Sequence, residues 1–223
     1  MTVASVEAPV SQRERNKEDK FRRIRDASLE LFLSKGFDDT TTREIAARAG
    51  VGLGTVFVYA KTKRDLLFLI VNGDLERVVE EARAAFRPDR SMLENLLTII
   101  RLHYAIYAKQ PELSRLTLRE MYFYASGVQG QRFLRTRERL IQLFIDIVTE
   151  GMKQGAIQSQ ESPAFLAWMI FALFQVDIRR FLMQEDLSID AAVKTFARQL
   201  RVLMRGLSAK PGAFAVGRTS RKK

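Results

Sequence analysis

The stretch TTREIAARAGVGLGTVFVYAKTK, residues 41–63, holds a helix, a glycine-bearing turn, a second short helix and the start of a third. Thr41 and Glu44 have the spacing of a capping box, hydroxyl to amide one way and carboxylate to amide the other, so a helix should begin near Thr42. Ile45, Ala46 and Ala49 share one face of it, and the alanines let a neighbouring helix approach closely. Gly50 ends that helix where a left-handed backbone is cheap only for glycine, and Val51 plugs the angle between the two helices. Gly52, Leu53 and Gly54 lead into a helix reaching about Ala60; Val56 should face inward, while Leu53, Thr55, Phe57, Val58 and Tyr59 share the core and the surface. Thr62 and Asp65 repeat the box at the next helix, whose first turn holds Lys63. A cation opposes the helix dipole there, yet it suits a place where a phosphate meets free amides. This is the layout of a helix-turn-helix, whose second helix enters the major groove of DNA.

The order of residues also resembles the TetR family of bacterial transcriptional regulators. Gly36-Phe37, Thr40-Thr41, Ile45-Ala46, Ala49-Gly50-Val51, Gly54-Thr55, Tyr59 and Lys63 carry the resemblance, which covers roughly 45 residues. Beyond it, the chain matches in length and helical character. The resemblance implies that Thr42 and Arg43 lie near phosphates, that Leu53 to Thr55 lie at base edges, and that Tyr59 and Lys63 lie on the DNA backbone; Gly52 and Val58 join this set as candidate contacts. Gly52 stands where a serine is common, Phe57 where a tyrosine is frequent, and Ala60 where a phenylalanine is usual.

Composition removes other classes. The chain has 223 residues, no cysteine and one histidine, His103, which excludes disulfides, thiolate zinc sites and a histidine-rich metal site and argues against a Ser-His-Asp triad. No cofactor is expected, and no enzymatic activity. No run of about 18 uncharged apolar residues suggests a membrane span, and no apolar leader is visible, so a cytoplasmic protein is expected. The net charge of +11 is unevenly spread. Residues 1–64 carry 13 basic and 9 acidic groups, residues 65–208 carry 19 and 17, and residues 209–223 carry 5 and 0. A small basic module on a near-neutral body suits DNA binding.

The expected fold is all-α: a disordered arm (1–15), a three-helix DNA-binding domain (16–64), a larger helical effector-binding and dimerisation domain (65–208) and a basic tail (209–223). Asn16 is a plausible cap for the first helix, whose stripe is Phe21, Ile24, Leu31 and Phe32; Arg22, Arg23 and Arg25 lie off it. Later helices are expected from Lys63 to about Ala85, from Ser91 to Lys109, from Pro111 toward Tyr124, along a long segment to Gln154, and after the caps Ser162 and Ser188. Phe165 to Phe174 is apolar almost all round, which implies burial on both sides. The last two helices offer more apolar surface than one core needs. They are expected to pair with their copies in a homodimer, with Phe174, Ile178, Phe181, Ala192, Phe196, Leu200 and Leu203 as interface candidates.

The family likeness implies a ligand pocket among the middle helices. Candidate liners are His103, Tyr104, Tyr107, Arg119, Met121, Tyr122, Phe123, Phe144, Trp168 and Met169, a set suited to a small, mostly apolar effector. The leading expectation is a ligand-responsive repressor on a near-palindromic operator. The alternatives are a helical enzyme or small-molecule carrier, and a helical adaptor without DNA binding. No nucleophile–base pair, phosphate loop or metal cluster supports the enzyme.

Overall fold

The computed structural model describes residues 11–207. The described part is all-α: α1 Gln12–Ser34, α2 Thr42–Arg48, α3 Leu53–Tyr59, α4 Lys63–Ala85, α5 Met92–Lys109, α6 Pro111–Glu120, α7 Gly127–Lys153, α8 Pro163–Leu182 and α9 Ile189–Leu207. Both the tail expected at 209–223 and the first ten residues of the expected arm lie outside the described residues.

Tertiary contacts group the described residues into two compact units, 11–77 with Pro111–Thr136, and Val78–Gln110 with 137–207. The first unit therefore holds α1 to α3, α4 as far as Arg77, all of α6 and the start of α7. Its core joins Ile24, Ala27 and Phe32 of α1, Ile45 and Ala46 of α2, Val56 of α3, Leu66 to Leu69 of α4, and Leu113, Tyr124 and Phe133 from the later segment. In the second unit α5, α8 and α9 pack against one another. Tyr104, Phe144, Phe174, Phe181 and Phe196 are its largest fully buried side chains.

Local chemistry sets the boundaries. Thr41 and Glu44 form the expected capping box, and Val51 N–H donates to Ala46 O (3.0 Å) around Gly50 at φ +62°, closing α2 with a Schellman turn. At α4, Thr62 Oγ1 accepts from Asp65 N while Asp65 Oδ2 accepts from the amides of Lys61 and Thr62. Two boundaries depart from expectation, and the start of α7 is now placed. α1 starts at Gln12 rather than after Asn16, because Ser11 and Glu14 make a capping box of their own. α6 stops at Glu120 and turns through Phe123, which holds φ +55°. α7 starts at Gly127 and takes Gly130 inside, where a side chain would meet the Ala125 carbonyl carbon at 3.0 Å.

Within one chain α8 is buried on one side only. Leu166, Ala167, Ile170, Phe171, Phe174, Ile178 and Phe181 face the core, whereas Phe165, Trp168 and Val176 are exposed. The apolar stretch from Phe165 to Phe174 thus has one face in the core of its own chain and one face open.

Candidate nucleic-acid interface

α3 is held by its inner residues and shows the rest. Val56 and Ala60 are buried, Leu53 packs partly on the core, and Val58 and Phe57 are 77% and 43% exposed. Gly52 and Gly54 are exposed, and a Cβ on either would meet nothing within 4 Å. Thr55 is half-buried at the same end. The glycines thus leave the start of α3 bare, so that another backbone or a base edge can come close. On α2, Thr42 is half-buried, and Arg43 is exposed and forms no ion pair among the described residues.

Two of the expected backbone contacts are engaged inside the protein. The Lys63 ammonium donates to Phe37 O (2.8 Å) and Asp38 O (2.7 Å) and stands 5.1 Å from the Phe37 ring centre. It ties the α1–α2 turn to the start of α4. The Tyr59 hydroxyl donates to Lys17 O (2.9 Å), and its ring meets Phe21 edge-on at 6.1 Å, so Tyr59 fixes α1 against α3. Sequence reasoning also missed a concavity of about 640 Å³ between these two helices, lined by Arg13, Asn16, Lys17, Lys20, Gly54, Thr55, Val58 and Tyr59.

The Glu44 carboxylate is held down to about 2 by the Lys35 ammonium at 2.5 Å, and by the Thr41 amide and hydroxyl. It stays ionised and keeps the α2 terminus closed across ordinary pH. Further along the same unit, Arg119 makes a two-pronged pair with Asp38 (3.1 Å each), and Glu120 accepts from Arg64 (3.1 Å). The Tyr124 hydroxyl donates to Asp65, and burial, followed by that carboxylate, pushes its pKa up.

The expected effector liners fall into two groups. Arg119, Met121, Tyr122 and Phe123 belong to the first unit. Arg119 is ion-paired, Met121 packs against the core, Tyr122 is exposed, and Phe123 is 99% exposed. His103, Tyr104, Tyr107, Phe144, Trp168 and Met169 belong to the second unit. There Phe174 gathers His103 (5.6 Å), Tyr104 (6.2 Å) and Phe144 (6.4 Å) around its ring. Trp168 meets Phe171 edge-on on the open side of α8. Tyr107 is half-buried.

Two polar groups lie deep in that aromatic cluster. The His103 Nδ1 is 2.8 Å from Ile99 O, which assigns its proton to Nδ1, while the buried Nε2 has no hydrogen-bond partner. Burial, opposed by the Ile99 bond, lowers its pKa to about 4. The buried Asp177 carboxylate accepts from Tyr104, from Arg180 (2.5 Å) and from Gln199 (3.0 Å). The tyrosine pKa rises, first through burial and then through that hydrogen bond and charge.

Six of the seven interface candidates are spent inside one chain. Phe174, Ile178, Phe181, Ala192, Phe196 and Leu200 are all buried, and only Leu203 lies partly outside. The heptad-like stripe of α9 is a core stripe. The open apolar surface is the other face of these helices, a shallow groove of about 430 Å³ lined by Met169, Leu173, Thr195, Arg198, Gln199, Val202 and Leu203.

Comparison with known proteins adds the following. A family model described as bacterial regulatory proteins, tetR family, matches residues 24–70, and one described as YsiA-like protein, C-terminal region, matches residues 71–201. The fatty acid metabolism regulator protein of Bacillus subtilis is 23% identical over 173 residues, covering 77% of this chain and 88% of that protein. Two of the solved structures that share the fold are FadR proteins. FadR from Bacillus subtilis in complex with stearoyl-CoA superposes with a TM-score of 0.65 at 22% identity, over 83% of this chain and 98% of that one. FadR from Thermus thermophilus in complex with lauroyl-CoA gives 0.61 at 24% identity, over 88% and 100%.

Proposed function

Because the chain belongs to the TetR family of bacterial transcriptional regulators, we propose that it is a cytoplasmic, homodimeric repressor, that it holds a near-palindromic operator through α2 and α3, and that a long-chain acyl-CoA releases it. The observation that carries the DNA reading is the bare outer face of α3, with Gly52, Gly54, Thr55 and Val58 turned away from a core that Val56 and Ala60 anchor. Leu53 to Thr55 and Val58 have no long polar group for two-pronged base readout, so apolar contact with thymine methyls and DNA shape carry specificity. Thr42 and Arg43 reach the backbone from α2. Tyr59 and Lys63 act one step back, holding the helices that make the contacts.

The effector assignment rests on the relatives. Two FadR proteins of this fold are described in complex with acyl-CoA thioesters. In the second unit His103, Tyr104, Phe144 and Phe174 pack into a buried aromatic cluster, apolar ground that an acyl chain would enter by parting the helices. An acyl-CoA lowers operator affinity only by binding better to the conformation that DNA does not select.

The test begins with a duplex selected from random sequence by the purified protein. Val58→Glu puts a carboxylate on the open face of α3 without entering the core, so it is expected to abolish binding while the thermal unfolding midpoint holds. Stearoyl-CoA is expected to release the wild-type protein from that duplex, and coenzyme A alone to leave it bound. If the variant binds like the wild type, α3 is not the reading head. If stearoyl-CoA has no effect, the effector assignment falls while the DNA reading stands.

A further inference from the structure

The core stripe of α1 does not end where the core ends. Ile24, Ala27 and Ser28 are buried, and one and two turns before Ile24 the same face carries Lys20 and Lys17, then Arg13. Positions 13, 17, 20 and 24 follow the i, i+4, i+7, i+11 spacing that keeps side chains on one side of a helix. The face is therefore apolar where protein covers it and cationic where it overhangs α3. Glu14 and Glu18 lie off this line; Glu14 is held by the Ser11 cap and sits one turn from Lys17, whose charge it feels.

The other cations of α1 are neutralised or engaged. Arg22 pairs with Asp19 (2.9 Å), Arg25 with Asp26 (2.8 Å), Arg23 donates to Gly50 O (2.8 Å), and Arg15 is engaged as well. Arg13, Lys17 and Lys20 are exposed, and none makes an ion pair among the described residues. They share a wall with Thr55, Val58 and Tyr59 of α3, and the Tyr59 bond to Lys17 O fixes the two helices together. The three positions span about 10 Å of helix axis at 1.5 Å per residue.

The geometry points to a second DNA-contacting element: Arg13, Lys17 and Lys20 form a rail that grips the phosphate backbone beside the groove that α3 enters. The occupant has to be a polyanion that passes along α3, and a duplex seated on α3 is one. The rail adds affinity without reading sequence, because ammonium and guanidinium groups meet phosphates alike on every duplex. This rests on the DNA reading given above, and the experiment separates the two.

The probes are the selected duplex, fluorescein-labelled, and a scrambled duplex of equal length, followed by anisotropy from about 50 to 200 mM KCl. Each phosphate contact contributes about 0.9 to the slope of log affinity against log salt. Arg13→Gln/Lys17→Gln/Lys20→Gln is expected to flatten that slope by up to about 2.7 per bound chain and to weaken both duplexes by a similar factor. Arg13→Lys/Lys17→Arg/Lys20→Arg keeps the charges and is expected to keep the slope. Arg22→Gln/Arg25→Gln, off the rail, is expected to leave it unchanged. Circular dichroism melts verify that each variant is folded; should the neutral triple variant melt early, the single variants, each about 0.9 flatter, carry the test. A wild-type slope retained by the neutral variants overturns the rail and leaves α3 standing. A wild-type protein that binds neither duplex overturns both readings.

Discussion

His103 gives the chain a pH dependence that one substitution removes. In the folded protein its imidazole is buried against Phe174, with Nδ1 bonded to Ile99 O and Nε2 facing no donor or acceptor. Burial holds its pKa at about 4, against 6.5 for a free side chain. The folded pKa is depressed, so the stabilisation is complete above the unfolded pKa and is lost as pH falls toward the folded one. Between pH 7 and pH 5 the unfolded chain takes up about 0.7 of a proton and the folded chain very little. Stability then falls by about 2 kcal/mol, and by about 3 kcal/mol at pH 4. The carboxylates that cap the helices, Glu14, Glu44 and Glu94, all have lowered pKa values, so what they contribute is lost only as pH falls below about 5. The assay is urea unfolding by circular dichroism at pH 7, 6 and 5 and one protein concentration, for the wild type and His103→Leu. The variant has its own stability at pH 7, but its dependence on pH should be flatter by about 2 kcal/mol across the window. Parallel curves for the two proteins would refute the reasoning, since they would mean that the folded imidazole accepts a proton as readily as the unfolded one.

Other substitutions probe the remaining assignments. Lys63→Met removes two charged hydrogen bonds from the α1–α2 turn, which should cost about 1.5–3 kcal/mol in thermal unfolding while leaving the salt slope of DNA binding as it was; a slope flatter by about 0.9 would return Lys63 to the phosphates. A Cβ at Gly151 would stand 2.6 Å from Met92 Sδ and 2.9 Å from Met92 Cβ. Gly151→Ala should therefore destabilise by about 1–3 kcal/mol through overpacking of α7 on α5, and an unchanged unfolding midpoint would show that Met92 swings clear. Val202→Asp places a charge on the outer face of α9, where Val202 is 65% exposed; light scattering should find a monomer with unchanged helicity, and an intact dimer would move the interface elsewhere.

Much of this was legible because it is local. The Thr41–Glu44 and Thr62–Asp65 boxes, the left-handed Gly50 and the proline-led start of α8 each depend on residues within four positions of one another, and each stands as read. The open side of α3 was legible in part, since Val56 alone of its apolar residues was placed inward. Direction was harder to read than existence. On α9, Ala192, Phe196 and Leu200 form so regular a stripe that it suited an intermolecular seam equally well; burial assigns it to the monomer core. Periodicity gives a helix an apolar face without saying whose surface covers it. The rail on α1 was missed for a related reason. The apolar stripe of α1 ends at Phe21, whereas the same spacing runs on to Lys17 and Arg13 in a different chemistry.

The extent of the DNA-facing unit shows where local reading stops. Three short helices of about fifty residues bury a small fraction of their surface and make a marginal core. Here Leu113, Tyr124 and Phe133, more than forty residues beyond α4's first turn, complete that core. Burial of side chains of this size is worth roughly 1.5–3 kcal/mol each. The pairs Arg119–Asp38 and Arg64–Glu120 also link α6 to the α1–α2 turn and to α4, but Arg119, Asp38 and Arg64 are each more than 40% exposed, and such pairs contribute about 1 kcal/mol or less. Apolar packing therefore holds α6 in place, and the charges fix its register. That register matters because Asp38 O is also a ligand of the Lys63 ammonium, and Asp65 is bonded both to the α4 cap and to Tyr124. The seat of α4, and with it the turn that ends α3 at Ala60, thus depends on residues 119–133. No pattern within residues 41–63 could have disclosed this.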